Sequence, residues 1–159
     1  MNQKTEKREQ NKDAVVQLLS KILADEFVLY TKTRKAHWNV EGQDFYTMHL
    51  FFENQFTTLA TNIDNIAERI RTLGHYPPAS LKEYLELTQL SEQSRYDYDS
   101  RGFVTQLLID HESIIILLRK NIDQFASVLK DLGTSDFITG LLLVHEKMAW
   151  MLRSHAKSE

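Results

Sequence analysis

The chain has 159 residues, of which 42% are hydrophobic and 26% charged, and its formal net charge at pH 7 is −3. This composition is typical of one globular domain, and the charge gives no general attraction to nucleic acid or anionic membranes. The chain has no cysteine, which excludes disulfides, thiolate catalysis and cysteine-ligated zinc or iron–sulfur sites.

The N-terminal residues are polar and of mixed charge, and they predict a flexible tail (1–10) in front of a single domain (11–159). The tail lacks the apolar centre of a signal peptide. The most apolar run of the chain, Ile114 to Leu118, is far too short to cross a bilayer. We therefore expect a soluble, cytoplasmic protein with no membrane partner.

The first two long elements are predicted to be amphipathic helices. Apolar residues recur at helical spacing from about Asn11 to Trp38. A second helix is predicted from about Asp44 to Leu73, and Gly74 behind it is suited to a left-handed C-terminal cap. The short link between the two helices predicts a tight helical hairpin.

A connection of about 28 residues follows, which is long for a helical bundle. Within it, Ser80 and Glu83 match a capping box and predict a short helix from about Leu81 to Leu87. The connection is long enough to travel the length of a bundle, so the long helices on either side can run parallel. The predicted fold class is all-α, a ferritin-like four-helix bundle with a short extra helix in its long crossover.

The third long helix is predicted from about Gly102 to Leu132, with Gly133 as its stop. The fourth is predicted to start near Thr134, whose hydroxyl can cap it, and to run to about Arg153. Both helices are apolar around more than one face. Either a wide core stripe or burial of a second face against neighbouring subunits explains this pattern.

Five side chains that can bind a metal lie on or near the second helix. His49 and Glu53 share one helix face, as do Asp64 and Glu68, because residues four apart lie one above the other. The two pairs face about the same way, but His49 and Asp64 are separated by about 22 Å at about 1.5 Å per residue. The predicted hairpin would bring His37 near His49. A second copy lying antiparallel would join each pair to the other pair of its partner, which predicts a metal site shared between subunits.

Imidazole with several carboxylates suits iron, manganese or zinc. Acidic pairs on a solvated helix face give the same spacing without binding a metal, so this alternative stays open. A ferritin core site carries Glu-x-x-His motifs on two helices, and no glutamate of this chain begins one. An iron site here must therefore be built differently from that of an ordinary ferritin.

Short stretches along most of the chain form a recognisable pattern. They are His37-Trp38-Asn39-Val40, Gly42, Phe45 and His49, Asp64-Asn65-Ile66-Ala67-Glu68-Arg69-Ile70, Leu73-Gly74, Pro78-Ala79-Ser80-Leu81, Tyr84-Leu85, His145-Glu146-Lys147 and Trp150-Met151-Leu152-Arg153. This pattern resembles the Dps family, the mini-ferritins known as DNA-binding proteins from starved cells. The resemblance covers nearly the whole chain after the first dozen residues.

The resemblance implies a dodecameric hollow shell that binds ferrous iron between two-fold-related subunits. Such a shell acts as a ferroxidase with hydrogen peroxide in preference to oxygen, stores the ferric mineral, and protects against oxidative damage. As metal ligands and catalytic residues, His37 and His49 would come from one subunit, and Asp64 and Glu68 from its partner. Glu53 stands where many members have aspartate, and its extra methylene should still allow it to reach a metal.

The remaining candidate residues lie outside the predicted set of metal ligands. The resemblance places Trp38 beside the metal site, as a hydrogen-bond donor, a radical trap or a packing residue. The resemblance also makes Asp131 and Asp136 candidates for the lining of a cation pore, with helix capping and solvation as the alternative. The remaining histidines are interpreted as structural or surface residues: His75, His111, His145 and His155.

Two other functions stay open. Some relatives bind DNA in the nucleoid through lysine-rich tails, but residues 1–13 here carry four basic and three acidic side chains, and four minus three leaves +1. Twelve copies of such a tail would give weak avidity. The other function is that of a noncatalytic helical scaffold or surface antigen built on the same shell.

Overall fold

The computed structural model describes the backbone of residues 3–93 and 97–156, and the side chains of these ranges from residue 9 onward. Within them the chain forms five α-helices and no strand. The helices are α1 (Gln3–Asn39), α2 (Phe45–Thr72), α3 (Leu81–Leu87), α4 (Ser100–Asp123) and α5 (Leu132–Ala156). A π-helical turn, Gln124–Val128, continues α4. The predicted all-α fold with one short helix in the crossover is confirmed.

Two helical hairpins build the bundle, because α1 packs along α2 and α4 along α5. Fully buried apolar side chains from all four long helices meet in the core, among them Leu19, Leu29, Phe52, Ile66, Leu118 and Leu152. Burying each such side chain stabilises the fold by roughly 1.5–3 kcal/mol relative to exposure. No helix in the described ranges is long and apolar enough to span a membrane.

The end of α2 forms as the sequence predicts. Gly74 has a φ of +89°, a left-handed conformation that glycine adopts without a Cβ clash. The backbone N–H of His75 donates to the Ile70 carbonyl at 3.2 Å, and that of Gly74 donates to the Arg71 carbonyl at 2.9 Å. These two bonds form a Schellman motif, which ends α2 and turns the chain into the crossover.

The capping box predicted in the crossover is present. The Ser80 hydroxyl accepts a hydrogen bond from the Glu83 backbone N–H at 3.3 Å. The Glu83 carboxylate accepts one in return from the Ser80 backbone N–H at 3.1 Å. Two N–H groups that helix geometry leaves unpaired are thereby satisfied. The predicted bounds of α3 are confirmed.

Two buried charged residues of α1 anchor the crossover to the bundle. The Asp25 carboxylate accepts hydrogen bonds from the Thr88 hydroxyl at 2.6 Å and from the next backbone N–H at 2.8 Å. The Lys32 ammonium donates to the Ser91 carbonyl at 2.9 Å and forms a salt bridge with Asp110 of α4. Asp25 and Lys32 are seven residues apart, about two turns, so they face the crossover from the same side of α1.

Helix α1 begins earlier than the apolar pattern predicts, at Gln3 and not near Asn11. Residues 3–10 are mostly lysine, glutamate, glutamine and arginine, which favour helix without packing against a core. None of these eight residues is apolar, so apolar periodicity could not indicate this part of the helix. The flexibility of residues 1–10 stays a prediction, and Met1 and Asn2 lie outside the described residues.

The junction between α4 and α5 also differs from the prediction. Gly133 does not stop the third long helix, because α5 already begins at Leu132. The N-terminal cap is Asp131 and not Thr134. The Asp131 carboxylate accepts hydrogen bonds from the Thr134 backbone N–H at 2.9 Å and from its hydroxyl at 2.6 Å. A carboxylate just before the first turn reaches the third helical N–H, which makes aspartate a strong cap there.

Candidate metal centre

The hairpin between α1 and α2 brings His37 and His49 into contact. Their rings stack with centroids 3.8 Å apart and an interplanar angle of 22°. Nδ1 of His37 lies 2.8 Å from the His49 carbonyl oxygen, and Nδ1 of His49 lies 2.8 Å from the His37 carbonyl oxygen. Each ring is therefore held by the backbone of the other residue.

This reciprocal hydrogen bonding decides which nitrogen of each ring is available. A carbonyl oxygen only accepts, so each Nδ1 carries a proton and donates it. In the neutral imidazole, each Nε2 then keeps its lone pair. Metal-binding histidines are commonly oriented by such a bond from the other ring nitrogen. Nε2 is thus the nitrogen through which each of these two rings would bind a metal.

The three candidate carboxylates lie along α2 and are exposed. Glu53 is one turn beyond His49, while Asp64 and Glu68 lie in the second half of the helix. Within the described ranges, no three metal-ligating side chains are placed so that they could hold one ion. The structure thus brings His37 and His49 together, does not gather Glu53 with them into a three-ligand group, and leaves Asp64 and Glu68 further along α2.

An aromatic cluster with a cation at its centre lies beside the histidine pair. The Phe56 ring meets the His37 ring edge-on, with centroids 5.1 Å apart. The Arg34 guanidinium carbon lies 4.5 Å from the Phe56 centroid and 4.7 Å from the Trp38 ring. Trp38 is 62% exposed, so it contacts Arg34 on one side and solvent on the other. Arg34 and Phe56 were not among the residues predicted from the sequence.

The sequence contains a spacing pattern that could have indicated Arg34. Tyr30, Arg34 and Trp38 follow one another at intervals of four, which places them on one face of α1. Phe56 comes from α2, and no local pattern connects it to this cluster.

A second group of titratable side chains lies in the bundle core. His145 Nε2 is 2.5 Å from Glu26 Oε1, and His145 Nδ1 is 2.9 Å from His111 Nδ1. All three side chains are fully buried. Burial lowers the pKa of His111 well below its usual value, and neighbouring His145 lowers it further. These residues come from three helices, so no sequence spacing indicated the chain of hydrogen bonds.

The remaining candidates have contacts that fit local structural roles. Besides capping α5, Asp131 lies 3.5 Å from a guanidinium nitrogen of Arg69, while Asp136 is exposed and lies just beyond the first turn of that helix. His75 pairs with Asp13 at 2.9 Å and so joins the end of α2 to α1. A pore would form between subunits, so the pore assignment of the two aspartates stays a prediction.

Comparison with known proteins places the chain among ferritin-like proteins. Residues 16–158 match the family model described as ferritin-like domain. The chain is 41% identical over 140 residues to DNA protection during starvation protein 2 of Bacillus anthracis, covering 88% of this chain and 94% of that protein. It is also 41% identical over 151 residues to a low-temperature-induced protein of Nostoc sp. described as uncharacterized, covering 95% and 84%.

The fold shows the same similarity. The structure matches that of a Dps protein from Vibrio cholerae O1 with a TM-score of 0.88 and 30% sequence identity, covering 93% of this chain and 92% of that one. That protein is described as a member of a broad superfamily of ferritin-like diiron-carboxylate proteins.

Proposed function

The chain belongs to the Dps family of ferritin-like proteins, and from this premise we propose that it is an iron-sequestering mini-ferritin of the cytoplasm. In this proposal twelve subunits form a hollow shell that oxidises ferrous iron and stores the ferric mineral inside. The observation that carries it is the stacked pair of His37 and His49, whose Nε2 atoms are both left available for a cation.

The iron site would be completed by a second subunit. His37, His49 and Glu53 form one part, and Asp64 and Glu68 of the two-fold-related subunit form the other. Two antiparallel α2 helices bring these parts together twice, because a two-fold axis relates both contacts. The exposure of all three carboxylates in one subunit supports this arrangement.

The donor set fits ferrous iron as a substrate that leaves as ferric iron. Carboxylates bind the more highly charged ferric ion more strongly, while the two imidazoles limit the negative charge of the site. Hydrogen peroxide takes one electron from each of two ferrous ions, accepts two protons, and is cleaved to two water molecules. Because both electrons are delivered in one site, no hydroxyl radical is released, and the shell protects the cell from oxidative damage.

The first test is stopped-flow oxidation of anaerobically iron-loaded protein by hydrogen peroxide, followed by ferric absorbance. We expect two irons oxidised per peroxide, little trapped hydroxyl radical, and slower oxidation by oxygen.

His37→Ala and His49→Ala should slow oxidation severely while the shell still assembles. His155→Ala is the matched control, since that exposed ring contacts Phe51 and not the pair. Wild-type oxidation no faster than that of free iron, or normal rates in the double histidine variant, would remove the assignment.

A further inference from the structure

The guanidinium of Arg34 is surrounded by aromatic side chains. It lies one turn after Tyr30 and one turn before Trp38 on α1, and it is half-buried. Its Nη1 donates a hydrogen bond to the Tyr30 hydroxyl at 3.2 Å, and its carbon lies 5.8 Å from the Tyr30 ring centroid. Within the part of the chain that the structure describes, this guanidinium contacts aromatic side chains and no carboxylate.

Phe56 joins this cation to the histidine pair. The Arg34 guanidinium carbon lies 4.5 Å from the centroid of the Phe56 ring, and the same ring meets His37 edge-on at 5.1 Å. A planar, weakly hydrated guanidinium stacks well on aromatic faces, whereas an ammonium group does so less well. The contacts therefore form a continuous series from Arg34 through Phe56 to His37 and His49.

We propose that Arg34 is a positioning residue for the metal-binding histidines and acts through Phe56. The inference rests on the proposed function, because it assigns Arg34 to the same site. One hydrogen bond and one stacking contact orient the His37 ring, and the Phe56 edge supplies a further contact that limits its rotation. Partners that orient metal ligands typically contribute about 10–100-fold to metal affinity.

The direction in which metal affinity changes when Arg34 is replaced distinguishes a positioning role from a purely electrostatic one. A positive charge beside a cation site repels the cation, so its removal alone would tighten metal binding. Loss of a positioning contact weakens binding instead. A purely structural role would lower the melting temperature and leave the affinity of the assembled shell unchanged.

The test is titration of assembled, iron-free shells with Co(II), whose visible absorption reports on its ligands. We expect Arg34→Gln to weaken Co(II) binding roughly tenfold and to change the visible spectrum. Arg34→Lys should weaken it less, because lysine keeps the charge but loses the planar stacking. Arg34→Gln combined with Phe56→Leu should bind no more weakly than Phe56→Leu alone, since two residues in one series of contacts are not additive.

The control is Arg119→Gln on α4, which removes an arginine that pairs with Glu146 at 2.7 Å and should leave Co(II) affinity unchanged. Unchanged or tighter binding in assembled Arg34→Gln shells, or additive losses in the double variant, would overturn the inference. If Arg34→Gln does not assemble, Arg34→Lys is the test. Co(II) affinity and a visible spectrum equal to those of wild type in Arg34→Lys shells would contradict the proposal. Wild-type Co(II) binding that does not depend on His37 would instead remove the proposed site, and the inference with it.

Discussion

At the scale of single residues, backbone carbonyls define the histidine pair. Because His37 and His49 each bond to the backbone of the other, alanine at one position leaves the hydrogen bond of the remaining ring in place. The two single variants therefore lose one candidate ligand and the ring stacking, and they retain one oriented imidazole. This makes them cleaner probes of metal binding than variants of a side-chain-to-side-chain pair.

Because His111 is buried, we expect the free energy of unfolding to depend on pH. Burial lowers its pKa in the folded state, so below about 6.5 the unfolded chain binds a proton that the folded chain does not. Its contribution to stability is complete above that pH and is lost as the pH falls, by up to about 1.4 kcal/mol per pH unit. Urea unfolding of wild type and His111→Asn between pH 8 and pH 5, at one protein concentration, measures this.

The variant should show the flatter pH dependence, because asparagine can still donate toward His145 but does not titrate. Burial raises the pKa of Asp25 and of Asp110, which favours proton uptake by the folded chain and offsets part of the acid effect. The difference between the two proteins isolates the histidine. Parallel curves for wild type and variant would contradict the prediction.

Among the helix ends, we expect substitution of the glycine that ends α2 to lower the stability of the subunit. Gly74→Ala forces a side chain into the left-handed conformation and should destabilise the subunit by about 1–2 kcal/mol. Gly140→Ala is the matched control, since a Cβ there meets nothing within 4 Å in the subunit and the residue lies inside α5. Alanine should be neutral there or stabilise by up to about 1 kcal/mol. Thermal unfolding of both variants compares them, and equal melting temperatures would refute the argument.

Helix bounds were predictable wherever the signal is local. The capping box of α3 and the glycine end of α2 each depend on residues within four or five positions of one another, and both are as predicted. The start of α5 was predicted wrongly because Asp131 and Thr134 are both good capping residues three positions apart. The sequence alone does not show which of these two residues lies directly before the first helical turn.

At the scale of the whole molecule, the pore assignment can be separated from helix capping. Asparagine is as good an N-cap as aspartate but carries no charge, so Asp131→Asn keeps the cap of α5. Asp136→Asn removes a charge from an exposed residue that takes no part in that cap. If the two carboxylates line a cation entry, both variants should slow iron uptake, while Asp131→Asn lowers the melting temperature only as far as loss of its ion pair with Arg69 requires. Unchanged uptake in the double variant would exclude the pore role.

The N-terminal segment predicts weak or absent DNA binding by the shell. Residues 1–13 have a net charge of only +1, and mixed charges neutralise few phosphates. We expect no tail-dependent retention of DNA in a gel-shift assay at moderate salt. Deletion of residues 1–10 is the comparison, because it leaves the contact between Asp13 and His75 intact. Retention by intact shells that is lost on deletion would establish DNA binding through the tail.

The all-α fold, the short helix in the crossover and the family could be predicted from the sequence alone, because they follow from local spacing and short motifs. It also identified His37 and His49 as partners, because a hairpin with a short link leaves them few other neighbours. The packing of the helices was needed to show that both rings donate through Nδ1 and that Phe56 links Arg34 to His37. It alone also joined Glu26, His111 and His145 in the core. These contacts connect separate helices, so they depend on packing, which local sequence patterns do not encode.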